Sequence, residues 1–271
     1  MDTYETLAVS LENAVAQIEL NRPGKANAVN AAMWRELRKV FDWLDATPQA
    51  RICILSGRGK HFCAGIDVQF LIEIKNEVDR WPEGRRQERL RHIIVDLQAA
   101  VNAIERCRKP VLAAVHGACV GGAVDLIAAC DMRYASDDAR FSIKEVDLAI
   151  VADLGTLQRL PPLIGDGRVR ELAYSGREFD GRQAYAMGLI NQLFPDRPSL
   201  LQGVMALAAD ISAKSPLTIR GIKETLNYSR SHTIADGLSF VATRNAAMLL
   251  SKDVEEAISA QIQKRTPKFE D

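Results

Sequence analysis

The chain has no excess of either charge: Lys plus Arg number 35 and Asp plus Glu number 35. That balance leaves no footprint for a polyanion, so a nucleic-acid partner is not expected. No segment approaches the roughly eighteen uncharged apolar residues that a membrane-spanning helix requires. Neither end reads as a targeting signal. Met1-Asp2-Thr3-Tyr4-Glu5 is acidic, with no apolar run of signal length, and Lys268-Phe269-Glu270-Asp271 carries no address motif. A cytoplasmic location without membrane association is the expectation. Short repeats and low-complexity tracts are absent too, as are the dinucleotide fingerprint G-x-G-x-x-G and a phosphate loop ending in Gly-Lys-Ser/Thr.

Histidine is sparse, and the five cysteines (Cys53, Cys63, Cys107, Cys119 and Cys130) include no C-x-x-C spacing. An odd number of thiols in mostly apolar surroundings reads as buried, reduced cysteine rather than as a metal site or a disulfide framework. What the chain has is apolar substance. Hydrophobic residues make up 47 % of 271 positions, enough for one large domain or for a domain with an appendage.

Periodicity divides the chain. Leu7 to Leu20 alternates in two bursts around Glu12-Asn13, which predicts a β-hairpin. Ala32 to Leu44 has helical spacing, with Asn30 as its cap. Ile52 to Leu55 and Val111 to Val115 are short, fully apolar strands. Val68 to Trp81 reads as a weak helix, Trp81 to Arg86 as a polar, mobile break, and Glu88 to Cys107 as a long helix. Gly117 to Gly122 is a Gly-rich turn that feeds a helix over Ala123 to Ala129. Strands are expected at Met132 to Ala135, Ala139 to Ser142 and Leu189 to Phe194. Helical segments lie at 168–175 and 182–187, and after Pro198 only helices are expected. The chain is therefore α/β over 1–197 and helical over 198–271.

Each of two Gly-containing turns follows an apolar strand: Phe62-Cys63-Ala64-Gly65-Ile66-Asp67 and His116-Gly117-Ala118-Cys119-Val120-Gly121-Gly122. Glycines permit tight backbone, and amides exposed at such turns suit an anion or a developing oxyanion. Taken alone, the pair is weak evidence and is better explained as plain turn structure. The turns, their separation, Asn21-Arg22-Pro23 with Asn27-Ala28-Val29-Asn30, and the terminal Lys264-Arg265-Thr266-Pro267-Lys268-Phe269 together resemble the enoyl-CoA hydratase/isomerase (crotonase) superfamily over nearly the whole chain. That resemblance implies a crotonase-like ββα spiral core with a C-terminal helical region that makes trimer contacts, assembled as a homotrimer or homohexamer. It implies an acyl-CoA thioester as substrate, with no separate cofactor and no metal. The amides of Ile66 and Gly122 would form an oxyanion hole. Lys25, Ala64, Ile66 and Asp67 would line the CoA site, Lys25 near the phosphates and Ala64 near the adenine. The pocket for the acyl tail would come from the 70–100 region and from a neighbouring subunit's C-terminal helices.

Asp125, Glu145 and Asp153 interrupt apolar segments. A carboxylate in such surroundings is either capped or paired, or has a raised pKa suited to proton transfer. The resemblance matches Asp125 and Glu145 to the two catalytic glutamates of hydratases, with the first shortened to Asp. An acid at 153, where hydratases carry a small residue, is the pattern of the dienoyl-CoA isomerase branch. The implied reaction converts 3,5-dienoyl-CoA to 2,4-dienoyl-CoA, with Asp153 as base at C2, Glu145 as acid at C6, and Asp125 orienting them. The alternative is plain hydration of 2-enoyl-CoA, and a non-catalytic acyl-CoA-binding or RNA-associated scaffold is the reading from another class. Asp131 and His116 read as structural, and neither His116 nor His61 occupies a catalytic position of the family.

Overall fold

The computed structural model describes residues 3–270. Asn13 and Ala14 adopt positive φ, 49° and 65°, the conformation a tight hairpin turn demands. They reverse the chain between β1 (Leu7–Glu12) and β2 (Val15–Leu20), which pair antiparallel. The Asn30 side chain accepts from Met33 N–H at 3.0 Å and starts α1 (Ala31–Ala46), whose Met33, Leu37, Val40, Phe41 and Leu44 form one buried face. This helix returns the chain so that β3 (Ile52–Gly57) lies parallel to β2.

Two helices follow, α2 (Val68–Val78) and α3 (Arg85–Arg106), then β4 (Val111–Val115), parallel to β3. The polar break expected at 81–86 lies two residues earlier, at 79–84, because α2 ends at Val78 and α3 already begins at Arg85. The second Gly-rich segment holds a three-residue strand, β5 (Ala118–Val120), before α4 (Gly122–Ala129). Next come β6 (Met132–Ser136), β7 (Arg140–Ser142) and a 3-10 turn at Glu145–Leu148. The chain continues through α5 (Thr156–Arg159), α6 (Pro161–Ile164), α7 (Asp166–Ser175), β8 (Phe179–Asp180), α8 (Gly181–Met187) and β9 (Gln192–Phe194). It closes with α9 (Arg197–Ser212), α10 (Pro216–Ser229), α11 (Ile234–Met248) and α12 (Lys252–Ile262).

The large sheet has the order β1-β2-β3-β4-β6-β9, and a small second sheet has β5-β7-β8. Strands β3 and β4 are apolar on both faces because both faces are covered. Cys53, Leu55, Val111, Ala113 and Val115 point into the main core, with α1, α3 and α4. Ile52, Ile54, Leu112 and Ala114 point the other way, onto Leu200, Val204 and Ala208 of α9. All five cysteines are buried and unpaired. Asp131 is structural: its Oδ2 accepts from Val111 N–H at 2.7 Å and from Lys223 Nζ at 2.8 Å, which ties α10 to the sheet. Among the described residues, no helix is long and apolar enough to cross a membrane.

Candidate active site

The two Gly-containing turns lie side by side at one end of the sheet. Cys63 N–H donates to Ala118 O at 2.9 Å and Val120 N–H to Cys63 O at 3.1 Å, a bridge between the turns. On the other flank, Val29 N–H donates to Gly65 O and Asp67 N–H to Val29 O, at 2.8 and 3.0 Å. This lacing skips Ile66, whose N–H has no acceptor among the described residues. The N–H of Gly122, in the first position of α4, has none either. A Cβ built on Gly122 would lie 3.8 Å from Ile66 N, so the two free amides flank one small space. Gly65 is irreplaceable here. Its φ is +88°, and a Cβ would fall 2.5 Å from Val120 O. The flanking histidines fasten the backbone. His61 Nδ1 accepts from Ala118 N–H at 3.1 Å, and His116 Nε2 lies 3.0 Å from Gly59 O.

Lys25 and Ala64 are exposed and adjacent, because Ala64 N–H donates to Ala26 O at 2.9 Å. Asp67 is otherwise engaged. Its carboxylate pairs with Arg22 at 2.9 Å and caps α2 by accepting from Gln69 N–H at 3.1 Å. The Arg22 hydrogen bond and charge hold it below the usual carboxylate range, against the opposing effect of burial. Asp67 therefore braces the segment that presents Ile66 instead of offering a free group to a ligand. A buried Asn27 does related work: its amide donates to Arg58, His61 and Phe62 carbonyls at 2.9, 2.9 and 3.1 Å.

The three acids converge although they come from different elements. Asp125 is buried on the first turn of α4, and its Oδ1 accepts from both Thr156 N–H and Thr156 Oγ1, at 2.6 and 2.7 Å. Burial pushes its pKa up to about 7; the Thr156 hydroxyl opposes the rise, and the charges of Glu145 and Asp153 add to it. Glu145, in the 3-10 turn, is raised by burial and then by the Asp153 charge, and its Oε2 is buried without a partner among the described residues. Its Oε1 lies 3.3 Å from where a Cβ of Gly121 would sit, next to the free Gly122 amide. Asp153 is half-buried and raised by burial. Burial raises all three carboxyl groups, and the charge of Asp153 adds to the rise at Glu145 and Asp125, an arrangement in which one carboxyl group can act as base and another as acid.

The groups open to different spaces. Asp153 lines a cavity of about 760 Å³ with polar walls that include Gln98, Asn102 and Arg159. Glu145 lines an apolar one of about 330 Å³ with Ile143, Ile150, Leu157 and Val169. Sequence reasoning missed Thr156 and Gln98, whose amide donates to Asp153 O at 2.7 Å. The only local hint was Gly155 between Asp153 and Thr156; the partners themselves are 31 and 55 residues away in sequence.

Comparison with known proteins agrees with this geometry. The family model described as enoyl-CoA hydratase/isomerase matches residues 10–271. The peroxisomal Delta(3,5)-Delta(2,4)-dienoyl-CoA isomerase of Arabidopsis thaliana is 49 % identical over 273 residues, covering 99 % of this chain and 98 % of that protein. The mitochondrial enzyme of the same name from Homo sapiens is 44 % identical over 264 residues, covering 95 % of this chain and 79 % of that protein. A crystal structure of enoyl-CoA hydratase from Bacillus anthracis superposes with a TM-score of 0.89 at 30 % identity, covering 98 % of this chain and 99 % of that one.

Proposed function

The chain belongs to the enoyl-CoA hydratase/isomerase family and has its crotonase-type core, a mixed β-sheet flanked by helices; on that premise we propose that it isomerises 3,5-dienoyl-CoA to 2,4-dienoyl-CoA by proton transfer within the acid cluster. The observation that carries this reading is the convergence of Asp125, Glu145 and Asp153 beside the paired free amides. Close relatives named as dienoyl-CoA isomerases support it independently.

The thioester oxygen accepts from the N–H groups of Ile66 and Gly122. Asp153 takes a proton from C2, and the electron pair spreads through the carbonyl and the conjugated chain as an extended enolate. Donors fixed in advance at the oxygen stabilise that charge without reorganising. Glu145 delivers a proton to C6, which leaves double bonds at C2 and C4. Asp153 ends protonated and Glu145 ionised, and proton exchange through the cluster or solvent restores the start. One carboxyl group does not easily serve both ends of a four-carbon shift, whereas an ionised and a protonated one divide the work. Lys25 and Ala64 are assigned to the CoA moiety, with Ile66 and Asp67 as the neighbouring segment. For the acyl tail, the region between α1, α2 and α3 offers Trp34, Phe70, Ile74, Ile93 and Leu97. The assembly is assigned as a homotrimer or homohexamer.

The test is a panel of 2-enoyl, 3-enoyl and 3,5-dienoyl-CoA thioesters with product identification, run on the wild type and on Asp153→Asn. The expected result is conversion of the 3,5-diene to the longer-wavelength 2,4-diene, reduced about a hundredfold or more in Asp153→Asn, with any hydration affected less. Rapid hydration of 2-enoyl-CoA with the 3,5-diene untouched, or a full isomerase rate in Asp153→Asn, would replace this assignment with a hydratase.

A further inference from the structure

Thr156 opens α5 and is fully buried. Its backbone N–H and its hydroxyl converge on a single atom, Oδ1 of Asp125. The turn from Asp153 to Thr156 is fixed from two sides. Gln98 of α3 holds Asp153 O at 2.7 Å. Gly155, at φ +125°, fits against Arg159, whose Nη1 would stand 1.8 Å from a Cβ there. Arg159 is turned to Glu105 and Asn102, at 2.7 and 2.6 Å. One short turn thus sets the position of Asp153 and the hydrogen bonding of Asp125 together.

Donors are distributed unequally over the cluster. Asp125 receives two, and the buried Oε2 of Glu145 receives none among the described residues. Donors favour the charged form of a carboxyl group, while an unpartnered buried one favours the neutral form. We infer that Thr156 is a positioning residue of the reaction: by directing two donors at Asp125 Oδ1 it holds that carboxyl group in place beside Glu145 and favours its charged form, which the reaction uses.

The groups whose charges act on Asp125 are Glu145, from the 3-10 turn, and Asp153, from the turn before α5. Cys119 of β5, also close, is a thiol raised well above its usual range by burial and stays neutral. From α3 the neighbours of this turn are the uncharged Gln98 and Asn102, and Glu105 is paired with Arg159 and Arg230. Burial already pushes Asp125 up to about 7 against the Thr156 hydroxyl, so loss of the hydroxyl moves it further towards the protonated form at neutral pH.

The catalytic part of this inference rests on the isomerase reading; the hold on Asp125 does not. Two measurements separate them. The first is the pH profile of kcat for Thr156→Val, and for Thr156→Ala as a second variant. The acid limb is expected to move up by about one pH unit. At pH 7 kcat falls about fivefold and largely recovers by pH 9, with KM unchanged. Thr156→Ser, which keeps both donors, should retain the wild-type profile. The second measurement needs no substrate: carbon-detected NMR titration of the Asp125 carboxyl, whose midpoint should rise in Thr156→Val or Thr156→Ala and not in Thr156→Ser. An unchanged midpoint in the variants lacking the hydroxyl, or a loss of kcat that is uniform across pH, overturns the inference. A raised midpoint in a protein that leaves every dienoyl-CoA unchanged upholds the hold on Asp125 and sinks the isomerase assignment instead.

Discussion

Asp125 is 1 % exposed and faces two other acids. Its folded pKa, about 7, stands above the roughly 3.9 of an unfolded aspartate. Between those values the folded state binds more protons than the unfolded state, so this residue's contribution to stability is fullest below about pH 4 and is lost as pH rises towards 7. The loss is on the order of a few kcal/mol. Asn in its place still accepts both Thr156 donors through Oδ1 and carries no charge. Asp125→Asn should therefore melt at a higher temperature than the wild type at pH 8, with the advantage shrinking at pH 5, while isomerase turnover falls at least about tenfold. Thermal denaturation at the two pH values reads the difference. A variant whose advantage does not depend on pH would show that Asp125 is not the destabilising carboxylate.

At the scale of elements, the pair of turns depends on a backbone approach that only glycine allows. Gly65→Ala places Cβ on Val120 O and strains a positive φ. The turns must then separate, which moves Ile66 N–H away from Gly122 N–H. The expected outcome is a fall in kcat of about a hundredfold, comparable to losing one oxyanion donor, with a lower midpoint in urea. A folded Gly65→Ala protein with wild-type kcat would remove the turns from the chemistry. The same elements show what is legible in a sequence. The hairpin, the Asn30-capped helix and the apolar strands β3 and β4 carry periodicity over enough residues to be read. Strand β5, at three residues, and β8, at two, are too short to show any. They form because parallel and antiparallel pairing with β7 satisfies their backbone. The 3-10 turn that aims Glu145 has no apolar repeat either. Asp125, Glu145 and Asp153 could be picked out as acids in apolar segments. Thr156 and Gln98 are ordinary polar residues that matter only through contacts made in three dimensions.

At the scale of the whole molecule, the last three helices are anchored through α10 and carry large exposed apolar side chains. Lys223 of α10 is held by Asp131, and Arg230, just beyond α10, pairs with Glu105, which also holds Arg159 beside Gly155. On the same helical region, Ile234 is 85 % exposed and Leu250 is 91 % exposed, with Leu226, Leu238 and Ile262 also open to solvent. Exposed apolar side chains of this size, gathered on one helical region, favour contact with another protein surface over water. A second and third copy of the chain would supply that surface. Light scattering at micromolar concentration should return three or six times the chain mass. The double substitution Ile234→Glu with Leu250→Glu should lower that mass towards one chain. Because Arg230 and Arg159 share Glu105, a displaced α10 also loosens the turn that carries Asp153 and Thr156. The dissociated variant should therefore lose isomerase activity along with its assembly. A monomeric wild type would refute the assembly, and a dissociated variant with undiminished kcat would refute its link to the active site.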